Sequence, residues 1–90
     1  MNPIEKKKLK ALAHALNPVV MIGQAGLTDA VIKEINVALD AHELIKVKIR
    51  AERDDRRAIS EQIISATQAE LVQSIGQIAV VYRKNPNLKK

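Results

Sequence analysis

The chain has 90 residues, of which 47% are hydrophobic and 28% are charged, and its formal net charge is +5. This length suits one small domain, and the hydrophobic share is large enough to form a buried core. Because cysteine is absent, the composition excludes disulfides, thiolate metal ligands and cysteine nucleophiles. The single aromatic residue, Tyr82, argues against modules that read single-stranded RNA by stacking bases on several rings.

The charge balance and the terminal segments narrow the functional classes further. Fifteen Lys and Arg residues stand against ten Asp and Glu residues, which favours a polyanionic partner: RNA, DNA or an anionic membrane surface. No apolar stretch approaches the ~20 residues that span a bilayer. The lysines near the N-terminus are not followed by the apolar core of a signal peptide. We therefore expect a cytoplasmic protein.

The first predicted element is a helix that is capped by Asn2 and has Pro3 at its first position. The helix stops at Asn17-Pro18, because helical backbone is disfavoured in the residue before a proline. The next segment, Val19 to Ile22, predicts a short buried strand. The apolar helix residues at core spacing are Leu9, Leu12, Ala13 and Leu16, and another side of the helix carries Lys6, Lys10 and His14.

A glycine-bracketed turn, Gly23-Gln24-Ala25-Gly26, joins this strand to a second helix. Thr28 is a favourable N-cap for that helix, and Asp29 is a favourable acid for its first turn. The buried stripe is predicted to contain Ile32, Ile35, Ala38 and Leu39, and the helix is predicted to end near His42.

Strict alternation makes Leu44 to Arg50 the clearest strand of the chain. Ile45, Val47 and Ile49 are predicted to point into the core, so Lys46, Lys48 and Arg50 point the other way. A polar segment from Glu52 to Arg57 leads into a third helix, whose inner face is predicted to be Ile59, Ile63 and Ala66. Two further strands, Leu71 to Ile75 and Ile78 to Tyr82, turn at Gly76-Gln77.

The predicted order is therefore α-β-α-β-α-β-β, an α/β fold. Strands that are separated by helices favour parallel pairing, and the last two strands favour an antiparallel hairpin. We expect a single mixed four-stranded sheet with packed helices. The predicted domain covers residues 1–84, and residues 85–90 are predicted to be a loose basic tail.

Two groups of residues favour a nucleic-acid contact, and each has an alternative interpretation. The loop from Gly23 to Gly26 and the start of the second helix can bind phosphates through backbone N–H groups, or they can form only a tight turn. The cations Lys46, Lys48 and Arg50 can bind phosphates, or they can serve solubility and protect the strand. The arginines Arg53, Arg56 and Arg57 are more typical of a solvated face.

Catalysis has little support in the sequence. His14 and His42 are the only histidines, and neither belongs to a metal-ligand spacing or to a nucleophile–base–orienter set. The loop also lacks the Gly-Lys-Ser/Thr ending of a nucleotide-hydrolase P-loop. We expect no enzyme activity, no catalytic residue, no metal site and no cofactor.

The amino-acid sequences of several segments resemble the CRM domain, and in particular its stand-alone bacterial YhbY type. The name CRM stands for chloroplast RNA splicing and ribosome maturation. The resemblance runs from about Lys7 to Arg83. The matching segments, in chain order, are Leu12-Ala13-His14, Asn17 to Gly23, Gly26-Leu27-Thr28, His42 to Lys48, and Ile75-Gly76 with Tyr82-Arg83. The sequence departs from many relatives at Gln24-Ala25, where a basic or polar pair is frequent in the family, and at Gln77, where a basic residue is frequent.

The resemblance implies an RNA-binding domain with a fold like the C-terminal domain of translation initiation factor three. It also implies association with precursors of the large ribosomal subunit. It places the family's GxxG loop on Gly23 and Gly26, its basic strand motif on Lys46 and Lys48, and its closing tyrosine-arginine on Tyr82 and Arg83.

The resulting hypothesis is a monomeric protein that binds structured ribosomal RNA, without a membrane partner, and assists assembly of the large subunit. The alternative is a protein-interaction adaptor that docks on a ribosomal protein or an assembly factor. The predicted RNA-binding residues are Gly23, Gln24, Ala25, Gly26, Thr28, Lys46, Lys48, Arg50, Lys6, Lys10 and Arg83.

Overall fold

Four strands form one mixed sheet in the order β1-β2-β4-β3. The structure is a computed structural model, and it describes residues 2–85. The elements in chain order are α1 (Pro3–Ala13), β1 (Pro18–Ile22), α2 (Asp29–His42), β2 (Leu44–Ile49), α3 (Arg53–Thr67), β3 (Glu70–Ile75) and β4 (Ile78–Tyr82). The predicted order and the predicted α/β class are confirmed.

Strand pairing differs from the sequence-based expectation at one place. β1 and β2 pair in parallel, and β3 and β4 form the predicted antiparallel hairpin. β4 then lies antiparallel against β2, so β3 runs in the same direction as β2 but does not pair with it. Parallel pairing is therefore confirmed for β1 with β2 and is wrong for β2 with β3. The more apolar strand of the hairpin, β4, takes the central position and is therefore more buried than β3, which contains Glu70, Gln73 and Ser74.

The helix starts follow the predicted caps. The side chain of Asn2 accepts a hydrogen bond from the Glu5 N–H at 2.8 Å, and Thr28 accepts one from the Val31 N–H at 3.2 Å. Each side chain occupies a backbone donor that would otherwise lack an intrahelical partner. Asp54 and Asp55 lie in the first turn of α3, where acids are favoured by the helix dipole.

Helices cover both faces of the sheet, and each face has its own hydrophobic core. The larger core lies under α2 and α3 and includes the three inward residues of β2, Ile45, Val47 and Ile49, together with Ile35 and Leu39. The predicted alternation of β2 is confirmed.

The smaller core lies on the other face, under α1. It is built from Leu9, Ala13, Val72 and Val80, and Tyr82 packs against it. We call this side of the sheet the α1 face. It also carries the outward residues of β2.

Strand β1 and helix α1 are less buried than predicted. β1 is an edge strand, and Val19 and Met21 are 48% and 54% exposed, so the prediction of a buried strand is wrong for these residues. α1 ends at Ala13, which leaves Leu16 outside the helix and Leu12 60% exposed. A single helix laid across a sheet buries only the stripe that faces it, and Leu9 and Ala13 form that stripe.

The inner face of helix α3 also departs from prediction. The inner face of α3 uses Ser60, Ile63 and Thr67, whereas Ala66 is exposed. Asn85 is attached to the domain, because its backbone N–H donates to a Glu43 carboxylate oxygen at 2.8 Å. The rest of the predicted tail, residues 86–90, lies outside the described residues. Within the part of the chain that the structure describes, no helix is long and apolar enough to cross a membrane.

Candidate nucleic-acid interface

The glycine loop is a hydrogen-bonded β-turn between β1 and α2. The Gly26 N–H donates to the Gly23 carbonyl at 3.1 Å, which closes the four-residue turn. Gly26 has φ of +74°, a left-handed conformation in which other residues are strained, whereas Gly23 has no positive φ. A Cβ atom added to either glycine would have no heavy atom within 4 Å, so open space surrounds the turn. Only an external ligand would be obstructed by such a Cβ.

The start of α2 follows the turn directly. The first N–H groups of a helix have no intrahelical partner. The Thr28 hydroxyl accepts the hydrogen bond of one of them, the Val31 N–H, and the N–H groups that precede it in the chain point beyond the helix end. These groups carry the partial positive charge of the helix dipole, so this end of the sheet favours an anion.

Arg50 lies beside the loop. Its N–H donates to the Ile22 carbonyl at 2.9 Å, immediately before Gly23. The neighbouring Ile49 N–H donates to the Gln77 carbonyl at 2.7 Å, which brings the β3–β4 turn to the same place. Parallel strands end at the same edge of a sheet, and this explains why the ends of β1 and β2 meet here. The side chain of Arg50 is exposed at this edge.

The surroundings of the loop are electrostatically asymmetric. On the α3 side, the loop borders an open cavity of about 540 Å³ whose lining includes Glu52 and Asp55 as well as Arg50. On the opposite side lies the α1 face, which carries Lys48 and Lys46 of β2. The two acids disfavour a phosphate on the α3 side, so the cationic path leads from the loop onto the α1 face.

Lys46 and Lys48 are half-buried, which differs from the exposed strand face that alternation alone predicted. Lys46 lines a cavity of about 140 Å³ together with Lys10 and His14 of α1. α1 lies over this part of the sheet and brings the three basic side chains together. Lys6 is exposed one helical turn before Lys10 and does not line this cavity.

Arg83 is the predicted site residue that the structure separates from the others. It follows β4, and its N–H donates to the Glu43 carbonyl, at the end of the sheet opposite the glycine loop. Its guanidinium donates to the Thr67 carbonyl at 2.7 Å, to the Asn36 side-chain oxygen at 2.8 Å and to an Asp40 carboxylate oxygen at 2.8 Å. Arg83 therefore connects α2, α3 and β4, and it lies apart from the other predicted RNA-binding residues.

Sequence reasoning missed the contribution of α3 to the loop surroundings. Asp55, Ala58 and Gln62 of α3 line the cavity next to Gly23 and Gly26. The signal for this contact was present, because consecutive β-α units with parallel strands bring the starts of both helices to one sheet edge.

The described residues contain no cluster of three or more His, Cys, Asp or Glu side chains that could hold a metal ion. The site is instead made of backbone N–H groups, basic side chains and a glycine turn. Groups of these types suit an anionic ligand.

Comparison of the sequence with models of known families identifies the family of this chain. The model of the CRS1/YhbY (CRM) domain matches residues 1–83. The chain belongs to this family. The GxxG turn, the Lys46–Lys48 strand and the Tyr82-Arg83 ending are therefore segments of a CRM domain.

Similar proteins occur in several bacteria. The chain is 49% identical over 87 residues to a probable RNA-binding protein of Pseudomonas aeruginosa, covering 96% of this chain and 84% of the relative. It is 50% identical over 86 residues to an RNA-binding protein of Haemophilus influenzae, covering 94% and 87%. It is 34% identical over 87 residues to a probable RNA-binding protein of Bacillus subtilis, covering 96% and 91%.

A solved structure has the same fold. The solution structure of a hypothetical Staphylococcus aureus protein, described as a candidate RNA-binding protein, superposes with a TM-score of 0.85 at 37% identity. The superposition covers 99% of this chain and 94% of the other.

Proposed function

We propose that this CRM-domain protein binds RNA and does so without chemical transformation. The observation that carries the proposal is the meeting of the glycine turn, the start of α2 and Arg50 at one sheet edge. The Arg50 backbone N–H donates to the Ile22 carbonyl at 2.9 Å, which places Arg50 next to the turn. The names of the Pseudomonas, Haemophilus and Bacillus relatives support the same conclusion.

The binding mechanism follows from these groups. The backbone N–H groups of the turn and of the α2 start hold a phosphate, because glycine leaves no side chain in its path. Lys48, Lys46 and Lys10 then continue the contact along the α1 face and release counterions from the RNA. Phosphate contacts of this kind fix the position of the RNA and carry no sequence information.

The RNA partner that we propose is ribosomal RNA, bound in the cytoplasm by a monomer during assembly of the large subunit. Resemblance to the YhbY type supports this choice. A net charge of +5 on 90 residues suits a large, highly charged RNA surface.

Ultraviolet crosslinking in cell lysate tests the proposal directly. After crosslinking, the tagged protein is purified from the lysate, and we expect RNA to be attached to it. Among the sequenced RNA fragments, we expect those from large-subunit precursors to be enriched. A Gly23→Ala, Arg50→Gln double variant is expected to crosslink less, while a Val37→Gln variant on the outer side of α2 serves as the matched control. Strong association with ribosomal proteins without RNA crosslinks would instead support the adaptor hypothesis.

A further inference from the structure

One row of side chains crosses the whole α1 face of the sheet close to the glycine loop. Met21 pairs with Lys48, Lys48 pairs with Ile78, and Ile78 pairs with Ile75. Residues directly opposite one another on paired strands share a face, so all four side chains lie on the α1 face. At a spacing of about 4.8 Å per strand, the row is about 14 Å long. Met21 and Ile75 are 54% and 57% exposed at its two ends.

The row is apolar except for its lysine, and Met21 at its start lies two residues before Gly23 of the loop. The helix α1 covers the neighbouring part of the sheet, where Leu9 and Ala13 pack on Val72 and Val80. The exposed Met21 and Ile75 contrast with these buried residues. An exposed apolar strip of this kind on a basic protein indicates a contact surface.

A cavity of about 140 Å³ lies between this row and α1. Its floor is apolar and contains Ile75, Ile78 and Val80. Its remaining lining carries the amide of Gln73 and three basic side chains, which belong to Lys10, His14 and Lys46. The cavity is smaller than the roughly 300–1,000 Å³ of pockets that hold drug-sized ligands, so it suits one ring system.

We propose that this cavity receives an unpaired nucleobase of the bound RNA. This inference rests on the proposed function and adds to it a base contact on the α1 face. The planar base lies on Ile75 and Ile78, and the Gln73 amide, which both donates and accepts hydrogen bonds, meets the polar edge of the base. Lys10 and Lys46 contact the phosphates on either side of that nucleotide.

The lining distinguishes a base from a phosphate alone. A phosphate requires donors on several sides, but the isoleucine floor supplies none. A base has an apolar face and a polar edge, and this cavity offers a matching floor and amide. The cations around it complement the charged backbone from which the base projects. Aliphatic side chains thus replace the aromatic rings that most single-strand binders use and that this chain lacks.

Methyl NMR of the isoleucine side chains tests the contact on the unmodified protein. His14 lines the cavity and its imidazole ring also produces ring-current shifts, so the titration is repeated on a His14→Gln variant. An upfield shift of an isoleucine methyl that remains in this variant reports a base placed over the methyl. The probes are a mixed-sequence single-stranded RNA, a blunt-ended RNA duplex of matched length, and inorganic polyphosphate. We expect the single strand to shift the Ile75 and Ile78 methyls upfield, and polyphosphate and the fully paired duplex to leave them unshifted. Ile35 and Ile63, buried under the other face, are internal controls.

Variants separate base contact from phosphate contact. Gln73→Ala and Ile75→Gln are expected to lower single-strand affinity roughly three- to tenfold, the range of one or two lost contacts, without changing the salt slope. Ser74→Ala on the other face and Val37→Gln on α2 are the matched controls and are expected to bind normally.

The outcomes identify which hypothesis fails. Loop amide shifts without isoleucine methyl shifts, or equal affinity of all four variants and the original protein, would overturn the base contact and leave RNA binding intact. No response to any RNA would overturn the proposed function itself, and with it this inference.

Discussion

Gly23 and Gly26 border the same turn but have different backbone conformations, which makes them a matched pair. Gly23→Ala is expected to leave stability nearly unchanged, because its φ is not positive and a Cβ meets no atom within 4 Å. Gly26→Ala is expected to cost about 1 kcal/mol, since φ is +74° there. Thermal melting of both variants measures this difference.

The same pair tests the role of the loop in binding. If RNA approaches the backbone of the turn closely, Gly23→Ala lowers RNA affinity although the protein remains as stable as before. Normal affinity of this variant in a filter-binding assay would mean that the glycine serves only the turn.

Arg83 is expected to contribute to stability and not to RNA binding. Replacing it by alanine removes the guanidinium bonds to Thr67, Asn36 and Asp40 and leaves the half-buried Thr67 carbonyl and Asn36 side-chain oxygen without that donor. The expected loss is about 2 kcal/mol, the range for hydrogen bonds that involve a charged group. Urea denaturation measures this loss.

Arg57→Ala is the control for Arg83→Ala. Its guanidinium pairs with Glu61 at 3.9 Å on the surface, where the two side chains are 85% and 73% exposed. Such a pair contributes at most about 0.5 kcal/mol. If the Arg83→Ala variant remained folded at low temperature but lost RNA affinity, Arg83 would belong to the RNA-binding surface after all.

At the scale of elements, the cap of α2 is predicted to be stabilising in its own right. Thr28→Ala removes the bond to the Val31 N–H and is expected to cost about 1 kcal/mol, whereas Thr28→Ser retains the hydroxyl and most of the stability. Melting temperatures of the two variants measure the difference. Equal melting temperatures would show that the hydroxyl does not stabilise the helix start.

Strand β2 gives a second prediction at this scale. The double variant Lys46→Gln, Lys48→Gln is expected to weaken binding across RNA sequences and to flatten the salt slope by about one contact per lysine that touches a phosphate. Because both lysines are half-buried beside α1, a stability change of up to about 1 kcal/mol is also expected. Affinity at several salt concentrations and a melting curve provide these measurements.

The control for the β2 double variant is a second double variant that loses the same charge from another surface. Lys7→Gln, Lys8→Gln removes two exposed lysines from α1 that do not line the cavity beside Lys46. If both double variants lose the same affinity, net charge and not the strand surface determines binding.

At the scale of the whole molecule, RNA affinity is expected to depend strongly on salt. The chain carries a net charge of +5 and one aromatic residue, so we expect phosphate contacts to dominate the free energy of RNA binding. Log affinity is expected to fall linearly with log salt, with a slope of roughly −0.7 for each phosphate contact on a single strand. Filter binding between low and physiological salt measures the slope. An affinity independent of salt would contradict phosphate-dominated binding.

Local patterns in the sequence determined the elements and the loop. The alternation of β2, the caps Asn2 and Thr28, and the glycine pair each depend on residues within a few positions of one another. Short-range backbone preference and side-chain period are sufficient to predict such features. For this reason the element order and the position of the GxxG turn agree with the structure.

Tertiary packing determined which residues distant in sequence became neighbours. Nothing local to Arg83 indicates that its guanidinium reaches Asn36 and Thr67, because these partners are distant in sequence and meet only when α2, α3 and β4 pack. Likewise, the row from Met21 to Ile75 exists only because β4 inserts between β2 and β3. Strand order and helix placement depend on non-local burial, which side-chain period alone does not specify, and they determine which basic and apolar residues share a surface.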